Sequence, residues 1–156
     1  MQSHVHIRHI FISPGHNYIG HHGREPDAYP VLELDEVECV AGQGLRGDRY
    51  FGHKVDFKGQ VTFFAWEVYQ ALCAQLGTEG KPPSLLRRNV VTEGLDLNTL
   101  IGERFVIQGL VFLGSEECRP CYWMDRAVTA GTEAAMRGRG GLRASIITGG
   151  QLRRTR

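Results

Sequence analysis

Residues 104–125 read RFVIQGLVFLGSEECRPCYWMD, which is two short apolar runs followed by a Cys-x-x-Cys pair. The runs at 104–108 and 110–113 are separated by a single glycine, Gly109, and this pattern predicts a β-hairpin with the glycine in a bulge. Cys118 and Cys121 follow the second run. We therefore expect both sulfur atoms to lie where a strand ends and the chain leaves the sheet, a position that often holds reactive groups.

Pro120 constrains the turn between the two cysteines. A proline fixes its own φ at about −65° and biases the preceding residue, here Arg119, towards extended backbone. Arg119 and Arg126 flank the pair, and nearby guanidinium groups favour an ionised thiolate. Because a thiolate is both a nucleophile and a soft metal ligand, Cys121 and Cys118 are candidates for covalent or metal chemistry.

The composition is that of an ordinary globular protein. The 156 residues are 42% hydrophobic and 22% charged, with a net charge of +1, so nothing in the balance favours nucleic acid or a membrane surface as partner. The length predicts a single domain over residues 1–156. We expect a cytoplasmic protein, because no secretory signal is recognisable and no apolar run reaches about 18 residues. In that reducing compartment, four cysteines indicate thiol or metal chemistry rather than disulfides.

Periodicity along the chain predicts many short strands and few helices. Alternating or apolar runs predict strands at 4–13, 31–40, 61–64, 90–92, 104–108, 110–113 and 142–148. An apolar stripe at helical spacing predicts a helix over 65–76, stopped by Gly77. Short helices are expected at 125–128 and 132–137, with Thr132 as the N-cap of the second. The basic tail at 151–156 is expected to be frayed and solvated.

This succession of elements favours a β-rich fold, either a partly closed barrel or a sandwich with helices on the outside. Two of the four cysteines, Cys39 and Cys73, fall at apolar positions and are expected to be inert core residues. The loop histidines His16, His21 and His22 are not needed for folding, so they are candidates to line a site.

Six segments occur in an order and spacing that resemble a known family. They are GLRGDRY (44–50), KGQVT (58–62), RRNVVTEGL (87–95), LIGERF (100–105), RPC (119–121) and GRGGLR (138–143). Together they resemble the MOSC domain, the module named for the C-terminus of molybdenum cofactor sulfurases. The resemblance implies a closed or nearly closed, predominantly antiparallel β-barrel with a few short peripheral helices.

The resemblance also implies roles for particular residues. A cysteine at the position of Cys121 binds molybdenum or carries sulfur as a persulfide, with Cys118 a second candidate. Arg87 and Asn89 match the element that holds the pterin phosphate of the molybdenum cofactor, and Arg88 stands between them. The chemistry of phosphate binding adds further basic candidates. These are Arg49, Lys58, Arg88, Arg139 and Arg143.

Three functions follow as alternatives. In the first, the domain carries sulfur or binds the molybdenum cofactor through Cys121, as a sulfurtransferase-like or cofactor-dependent protein whose partner is a cysteine desulfurase or a molybdoenzyme. In the second, Cys118 and Cys121 form a dithiol redox pair. In the third, the pair joins loop histidines in a non-catalytic zinc site. The first predicts that Arg87, Asn89 and the glycine-rich arginine loops converge on Cys121.

Overall fold

The computed structural model describes residues 5–16, 25 and 29–156. Within these residues the strands, in chain order, are β1 (His6–Ile12), β2 (Leu32–Glu33), β3 (Glu36–Val40), β4 (Gly44–Leu45), β5 (Val61–Ala65), β6 (Val90–Glu93), β7 (Arg104–Ile107), β8 (Leu110–Glu117), β9 (Leu142–Thr148) and β10 (Gly150–Arg153). The α-helices are α1 (Trp66–Leu76), α2 (Trp123–Ala127) and α3 (Thr132–Met136). Two 3-10 turns lie at Pro83–Leu86 and Leu97–Leu100.

Seven strands form one large sheet in the order β2-β1-β6-β5-β9-β8-β7, and a smaller sheet has the order β10-β3-β4. The large sheet is mixed, because β5 and β6 run parallel. Helix α1 carries the chain across between them, as a parallel connection requires. The prediction of a mainly β fold with few short helices is confirmed, and the large sheet is predominantly antiparallel, with β5 and β6 as its parallel pair.

The main apolar core receives buried side chains from both sheets. Ile7 and Phe63 come from the large sheet, and Val37 and Leu152 from the small one. Residues next to the strands of the small sheet bond to strands of the large one: Thr155, after β10, donates its N–H to Ile7 O at 2.9 Å, and Gly42, between β3 and β4, donates to Ile146 O at 3.0 Å. The strand ladders in the described part of the chain do not close into a single barrel.

The hairpin of β7 and β8 provides the aromatic centre of this core. Phe105 and Phe112 are opposite each other in the ladder, and their ring centroids are 5.5 Å apart. Phe63 of β5 lies against both, at 5.5 and 5.1 Å, and all three rings are buried. The hairpin therefore fixes one layer of the fold through a cluster of three aromatic side chains.

The turn of this hairpin differs from the predicted bulge. Ile107 pairs with Leu110, which leaves a two-residue turn in which Gln108 has φ 52° and Gly109 has φ 81°. Positive φ at both positions is the requirement of a type I′ turn, whose twist matches that of the strands. The Gln108 side chain bonds both backbone groups of Arg153, at 2.7 and 2.8 Å, and so joins the turn to β10.

Two other predicted elements are also corrected. The expected strand at 31–40 divides into β2, which pairs with β1, and β3, which pairs with β10, so the chain passes there from one sheet to the other. The tail at 151–156 is not frayed over its first half, because β10 pairs along β3 and Leu152 is fully buried. Helix α1 is confirmed, and Gly77 ends it in the left-handed conformation with φ 68°.

Helices α2 and α3 lie close to their predicted places, but Thr132 is not the N-cap. Gly131 precedes α3 with φ 91°, and the Thr132 hydroxyl donates to Thr129 O. The carboxylate of Asp125 in α2 instead accepts the N–H groups of Glu133 at 2.8 Å and Gly131 at 3.2 Å. These bonds lower the pKa of Asp125, because they stabilise its charged form.

Candidate functional site

The cysteine turn (residues 118–121) lies between the end of β8 and the start of α2, as the sequence predicts. Cys121 is exposed and Cys118 is half-buried, and both are free thiols. Cys118 N donates to Gly141 O at 2.8 Å, and Met124 N donates to Cys121 O at 2.9 Å. The turn is therefore bonded at both ends, and it presents the Cys121 sulfur at the surface.

The glycine loop (residues 138–141) packs directly on the cysteine turn. A Cβ atom on Gly140 would lie 2.3 Å from Cys118 O and 2.8 Å from Pro120 Cδ, which is too close for any side chain. Gly140 N also donates to the Glu117 carboxylate at 3.2 Å. Only glycine allows this approach, and it gives the GRGGLR segment a structural role beside the cysteines.

The cysteine turn and the glycine loop form one wall of the site. The second wall is built around the buried carboxylate of Asp48. Asp48 Oδ1 accepts Ser13 N at 3.0 Å and Arg49 Nη1 at 3.3 Å, and Oδ2 accepts Tyr50 N at 3.3 Å. Arg49 Nη2 also donates to Arg87 O at 3.3 Å. A buried ion pair with these additional hydrogen bonds holds the Arg49 guanidinium in one place. Asp48 lies in the GLRGDRY segment, but the sequence alone did not indicate that it holds an arginine of the site.

Arg87 reaches the same wall from the end of the 3-10 turn at Pro83–Leu86. Its backbone has φ 56°, a conformation that is strained for a residue with a side chain. Its guanidinium donates to Ser13 Oγ at 3.0 Å and to Gly15 O at 2.8 Å. The strained backbone therefore belongs to a residue whose side chain bridges to the loop after β1.

A cleft of about 460 Å³ lies between these two walls. Its charged lining includes five arginines, of which Arg88 is buried, and two glutamates, and it also contains both thiols of the cysteine turn. The lining residues are His16, Arg49, Tyr50, Gly59, Thr62, Arg87, Arg88, Glu116, Glu117, Cys118, Arg119, Cys121, Met124 and Arg143. The structure therefore brings Arg49, Arg87 and Arg143 to the same cleft as Cys121.

Arg88 and Asn89 are buried and use their side chains inside the protein. Asn89 Oδ1 accepts Thr62 N at 2.9 Å, and Asn89 Nδ2 donates to Phe11 O at 3.1 Å. Asn89 thus joins β5 to the strand β1, and it is not among the residues that line the cleft. Arg88 donates to three backbone carbonyl oxygens, those of Leu86, Cys118 and Gly140.

The remaining basic candidates lie at different distances from the cysteines. Arg143 lines the cleft, pairs with Glu116 at 3.8 Å and lies over the Phe57 ring at 5.2 Å. Lys58 is exposed, 4.0 Å from Glu116, and lies outside the lining of the cleft. Arg139 donates to Gln75 Oε1 at 2.8 Å and lines a second cleft of about 400 Å³ instead. Of the flanking arginines, Arg119 lines the first cleft, whereas Arg126 pairs with Glu25.

His16 lies on the cleft, with its ring 4.9 Å from that of Tyr50 in an edge-on arrangement. Burial, followed by the positive charges of Arg49, His53 and Arg87, lowers the pKa of His16, and the charge of Asp48 opposes this. His16 Nδ1 is buried and has no hydrogen-bond partner among residues 5–16, 25 and 29–156. The imidazole is therefore favoured in its neutral form. His21 and His22 lie outside the described residues.

The other two cysteines are core residues, as predicted. Cys39 and Cys73 are buried. Burial, with the nearby charge of Glu38, raises the pKa of Cys39 to about 12, so its thiol stays protonated near neutral pH. The two cysteines that are not buried are therefore both in the cysteine turn.

The described part of the chain contains no group of three or more His, Cys, Asp or Glu side chains arranged to hold a metal ion. Its helices include none with the length and apolarity to cross a membrane.

Sequence reasoning missed several cleft residues. Glu116 and Glu117 belong to β8, which runs four residues beyond its predicted end, and Met124 belongs to the start of α2. Tyr50 follows Arg49 in the GLRGDRY segment, and Gly59 precedes β5. A Cβ atom on Gly59 would lie 2.7 Å from the Arg143 guanidinium, so this glycine leaves room for Arg143. In the sequence, a role for Gly59 at the site was indicated by its place in the KGQVT segment.

Comparison with known proteins identifies the family. No curated protein matches the chain at a significant level. The fold is similar to the crystal structure of YuaD from Bacillus subtilis, with a TM-score of 0.77 at 16% identity over 96% of this chain and 91% of that one. It is also similar to YiiM from Geobacillus stearothermophilus (TM-score 0.68, 13% identity, 96% and 71% covered) and YiiM from Escherichia coli (0.62, 18%, 94% and 66%). The model of the MOSC domain matches residues 21–154, and the chain therefore belongs to the MOSC domain family.

Proposed function

We propose that the cleft binds a phosphate-bearing pterin of the molybdenum cofactor type and that Cys121 supplies the reactive thiolate, as a sulfur carrier or as a ligand to molybdenum. The observation that carries the proposal is the pairing of an exposed thiol, Cys121, with the guanidinium groups of Arg49, Arg87 and Arg143 on one cleft. Guanidinium groups match phosphate oxygens in geometry and charge. A soft thiolate is the side chain that suits molybdenum or a sulfane sulfur.

The residues of the cleft fit such a cofactor. The volume, about 460 Å³, is within the range of small-molecule sites. His16 Nδ1 has no partner in the described part of the chain, so a polar group of a ligand could satisfy it. Tyr50 and Met124, which also line the cleft, add apolar surface for a flat heterocycle. When bound, the cofactor would supply a redox-active metal centre.

Different residues of the chain would bind the anionic group and provide the sulfur. Arg87 and Arg49 bind and orient the anionic group, because both side chains are held by the network around Ser13 and Asp48. Arg143 lies at the other side of the cleft, where Glu116 balances its charge. Cys121 provides the sulfur, and the bonds at both ends of the cysteine turn fix where that sulfur is presented.

As a sulfur carrier, Cys121 would act by thiol exchange. Its thiolate attacks the terminal sulfur of a persulfide on a cysteine desulfurase, one S–S bond forms, and the S–S bond of the donor breaks. The donor cysteine leaves as a thiolate, and Cys121 keeps the transferred sulfur as a persulfide. The acceptor would be the cofactor or a molybdoenzyme. A reducing compartment such as the cytoplasm keeps the Cys121 thiol available for this step.

The test compares Cys121→Ser with Cys118→Ser, a change of the same chemistry three residues away. Each protein is incubated with a cysteine desulfurase and cysteine, and its intact mass is measured. The wild type and Cys118→Ser are expected to gain about 32 Da, the mass of one sulfur atom, at residue 121, whereas Cys121→Ser gains none. If Cys121→Ser gains the same mass and also retains as much molybdenum and pterin when produced with the cofactor, the proposal is wrong.

The same two variants test the dithiol alternative when a redox titration is added. The observation that favours this alternative is that both thiols line one cleft. A redox pair would give a disulfide that forms and reduces reversibly in the wild type and is lost in either single variant. Equal effects of Cys118→Ser and Cys121→Ser on a two-electron couple, with no sulfur adduct in the wild type, would favour the redox function.

A further inference from the structure

We infer that Arg88 is a positioning residue that sets the spacing between the thiol side and the arginine side of the cleft. Sequence reasoning placed it among the phosphate-binding arginines. Its guanidinium instead donates Nε to Gly140 O at 2.8 Å, Nη1 to Leu86 O at 3.0 Å and Nη2 to Cys118 O at 3.0 Å. Each nitrogen bonds to a different segment of the chain.

These three segments carry the residues of the proposed site. Leu86 is the last residue of the 3-10 turn, and Arg87, which follows it, reaches the cleft. Cys118 begins the cysteine turn, and Gly140 packs against that turn. Arg88 therefore connects the backbone beside Arg87 to the backbone that presents Cys121. Its hydrogen bonds therefore connect three separate segments of the chain and not residues of one strand.

The chemistry of this contact requires an arginine. Arg88 is buried, and no carboxylate in the described part of the chain forms an ion pair with it, so carbonyl dipoles alone offset its charge. A buried charge without such compensation is costly, which disfavours any rearrangement that breaks these bonds. A lysine keeps the charge but replaces a rigid planar fork by a single ammonium group, which cannot reach three separated carbonyls in the same geometry.

Arg88 thus gives the cysteine turn a fixed position before any ligand arrives. The Cys118 amide is bonded to Gly141 O and its carbonyl to Arg88, so both backbone groups of Cys118 are fixed. This holds Cys118 half-buried while Cys121 stays exposed. The difference in exposure between the two thiols is a property of the turn that can be measured without a sulfur donor or a cofactor.

The experiment uses Arg88→Lys, with Arg88→Met as a second variant and Arg46→Lys as the matched control. Arg46 is an exposed arginine paired with Glu38, outside the lining of the cleft. Iodoacetamide labelling, read by mass spectrometry at each cysteine, gives the ratio of Cys121 to Cys118 modification. Hydrogen exchange gives the protection of the Cys118 amide relative to that of Val91 in β6. Thermal unfolding reports the global stability of each variant.

In Arg88→Lys the labelling ratio is expected to fall severalfold, because Cys118 becomes more accessible. The Cys118 amide is expected to exchange about tenfold faster while Val91 keeps its protection, since one anchoring hydrogen bond is lost locally. Arg46→Lys should match the wild type in both measurements. If Arg88→Met does not fold, Arg88→Lys alone decides the inference.

Two results would overturn the inference. One is an unchanged labelling ratio and unchanged Cys118 exchange in a folded Arg88→Lys protein. The other is a loss of inorganic phosphate binding in Arg88→Lys with labelling and exchange as in the wild type, which would make Arg88 a direct ligand. The importance of the turn rests on the proposed function, but these measurements need no sulfur transfer. Failure of the wild type to gain the sulfur adduct would therefore overturn the proposed function and leave the result for Arg88 intact.

Discussion

Three consecutive residues show how little the residue type alone says about a role. Arg87, Arg88 and Asn89 were all predicted to contact a pterin phosphate, and the structure gives each a different environment. Arg87 lines the cleft, Arg88 bonds three carbonyls, and Asn89 joins β5 to β1. Arg87, with left-handed backbone, ends the 3-10 turn, and Arg88 and Asn89 follow it before β6 begins at Val90.

His16 supports a prediction at the same scale. Its pKa is lowered from the ordinary value of 6.5, chiefly by burial, so the unfolded chain takes up a proton more readily than the folded chain. The resulting contribution to stability is complete above pH 6.5 and is lost as the pH falls through the lowered pKa. The free energy of unfolding of the wild type should therefore decrease between pH 7 and pH 5.

The measurement is urea unfolding across that pH range for the wild type and His16→Gln. Glutamine is polar and has no titrating group, so the variant should lose less stability on acidification than the wild type does. Identical slopes of unfolding free energy against pH in the two proteins would mean that the His16 ring titrates alike in the folded and unfolded chains.

At the scale of elements, the cysteine turn depends on a loop that is distant in sequence. The glycine loop contacts it through Gly140, which has backbone and proline atoms where a Cβ would be, and through Gly141, whose carbonyl accepts Cys118 N. The strand β9 begins directly after the glycine loop, and β8 ends directly before the cysteine turn. Because β8 and β9 pair, their register fixes the two segments side by side. The glycine loop thus supports the backbone of the cysteine turn.

Gly140→Ala and Gly138→Ala form a matched pair that tests this contact. Gly138 has φ 77° and open space around its Cβ position, so alanine there should cost only the left-handed backbone strain of about 1–2 kcal/mol. Gly140→Ala should cost more, because its Cβ would meet the Cys118 carbonyl at 2.3 Å and the backbone must move. Thermal unfolding gives both costs. A smaller loss for Gly140→Ala than for Gly138→Ala would contradict the packing described above.

At the scale of the whole molecule, the last strand completes the core between the two sheets. Leu152 of β10 is fully buried in the main apolar core, and Gln108 of the β7–β8 turn bonds the backbone of Arg153. Beyond β10, Thr155 N donates to Ile7 O in β1. The C-terminal residues therefore join elements from three parts of the chain, although their basic composition suggested a solvated tail.

Truncation of Leu152 tests this role. Leu152→Ala removes a buried side chain from the core and should lower the free energy of unfolding by about 2–5 kcal/mol. The neighbouring Gln151 is exposed on the same strand, so Gln151→Ala should change it by less than about 0.5 kcal/mol. Chemical denaturation of both variants gives the comparison, and equal effects would show that β10 does not contribute to the core.

The sequence by itself determined several local elements and the place of the cysteine pair at the end of a strand. The apolar stripe and Gly77 predicted α1, the paired apolar runs predicted the β7–β8 hairpin, and the spacing after β8 predicted that the cysteines leave the sheet. The ordered segments also identified the MOSC family, which the family model confirms over residues 21–154. The local elements depend on neighbours within a few residues, and periodicity records such neighbours directly.

Only the tertiary structure decided which distant groups meet. The parallel pairing of β5 with β6, the division of residues 31–40 between two sheets and the pairing of β10 with β3 all arise from contacts between segments far apart in sequence. The same holds for the site, where Arg49, Arg87 and Arg143 reach the cleft of Cys121 and Arg139 lies in another. A basic residue type predicts a charge, but the direction of its side chain depends on the packing of the strands and loops around it.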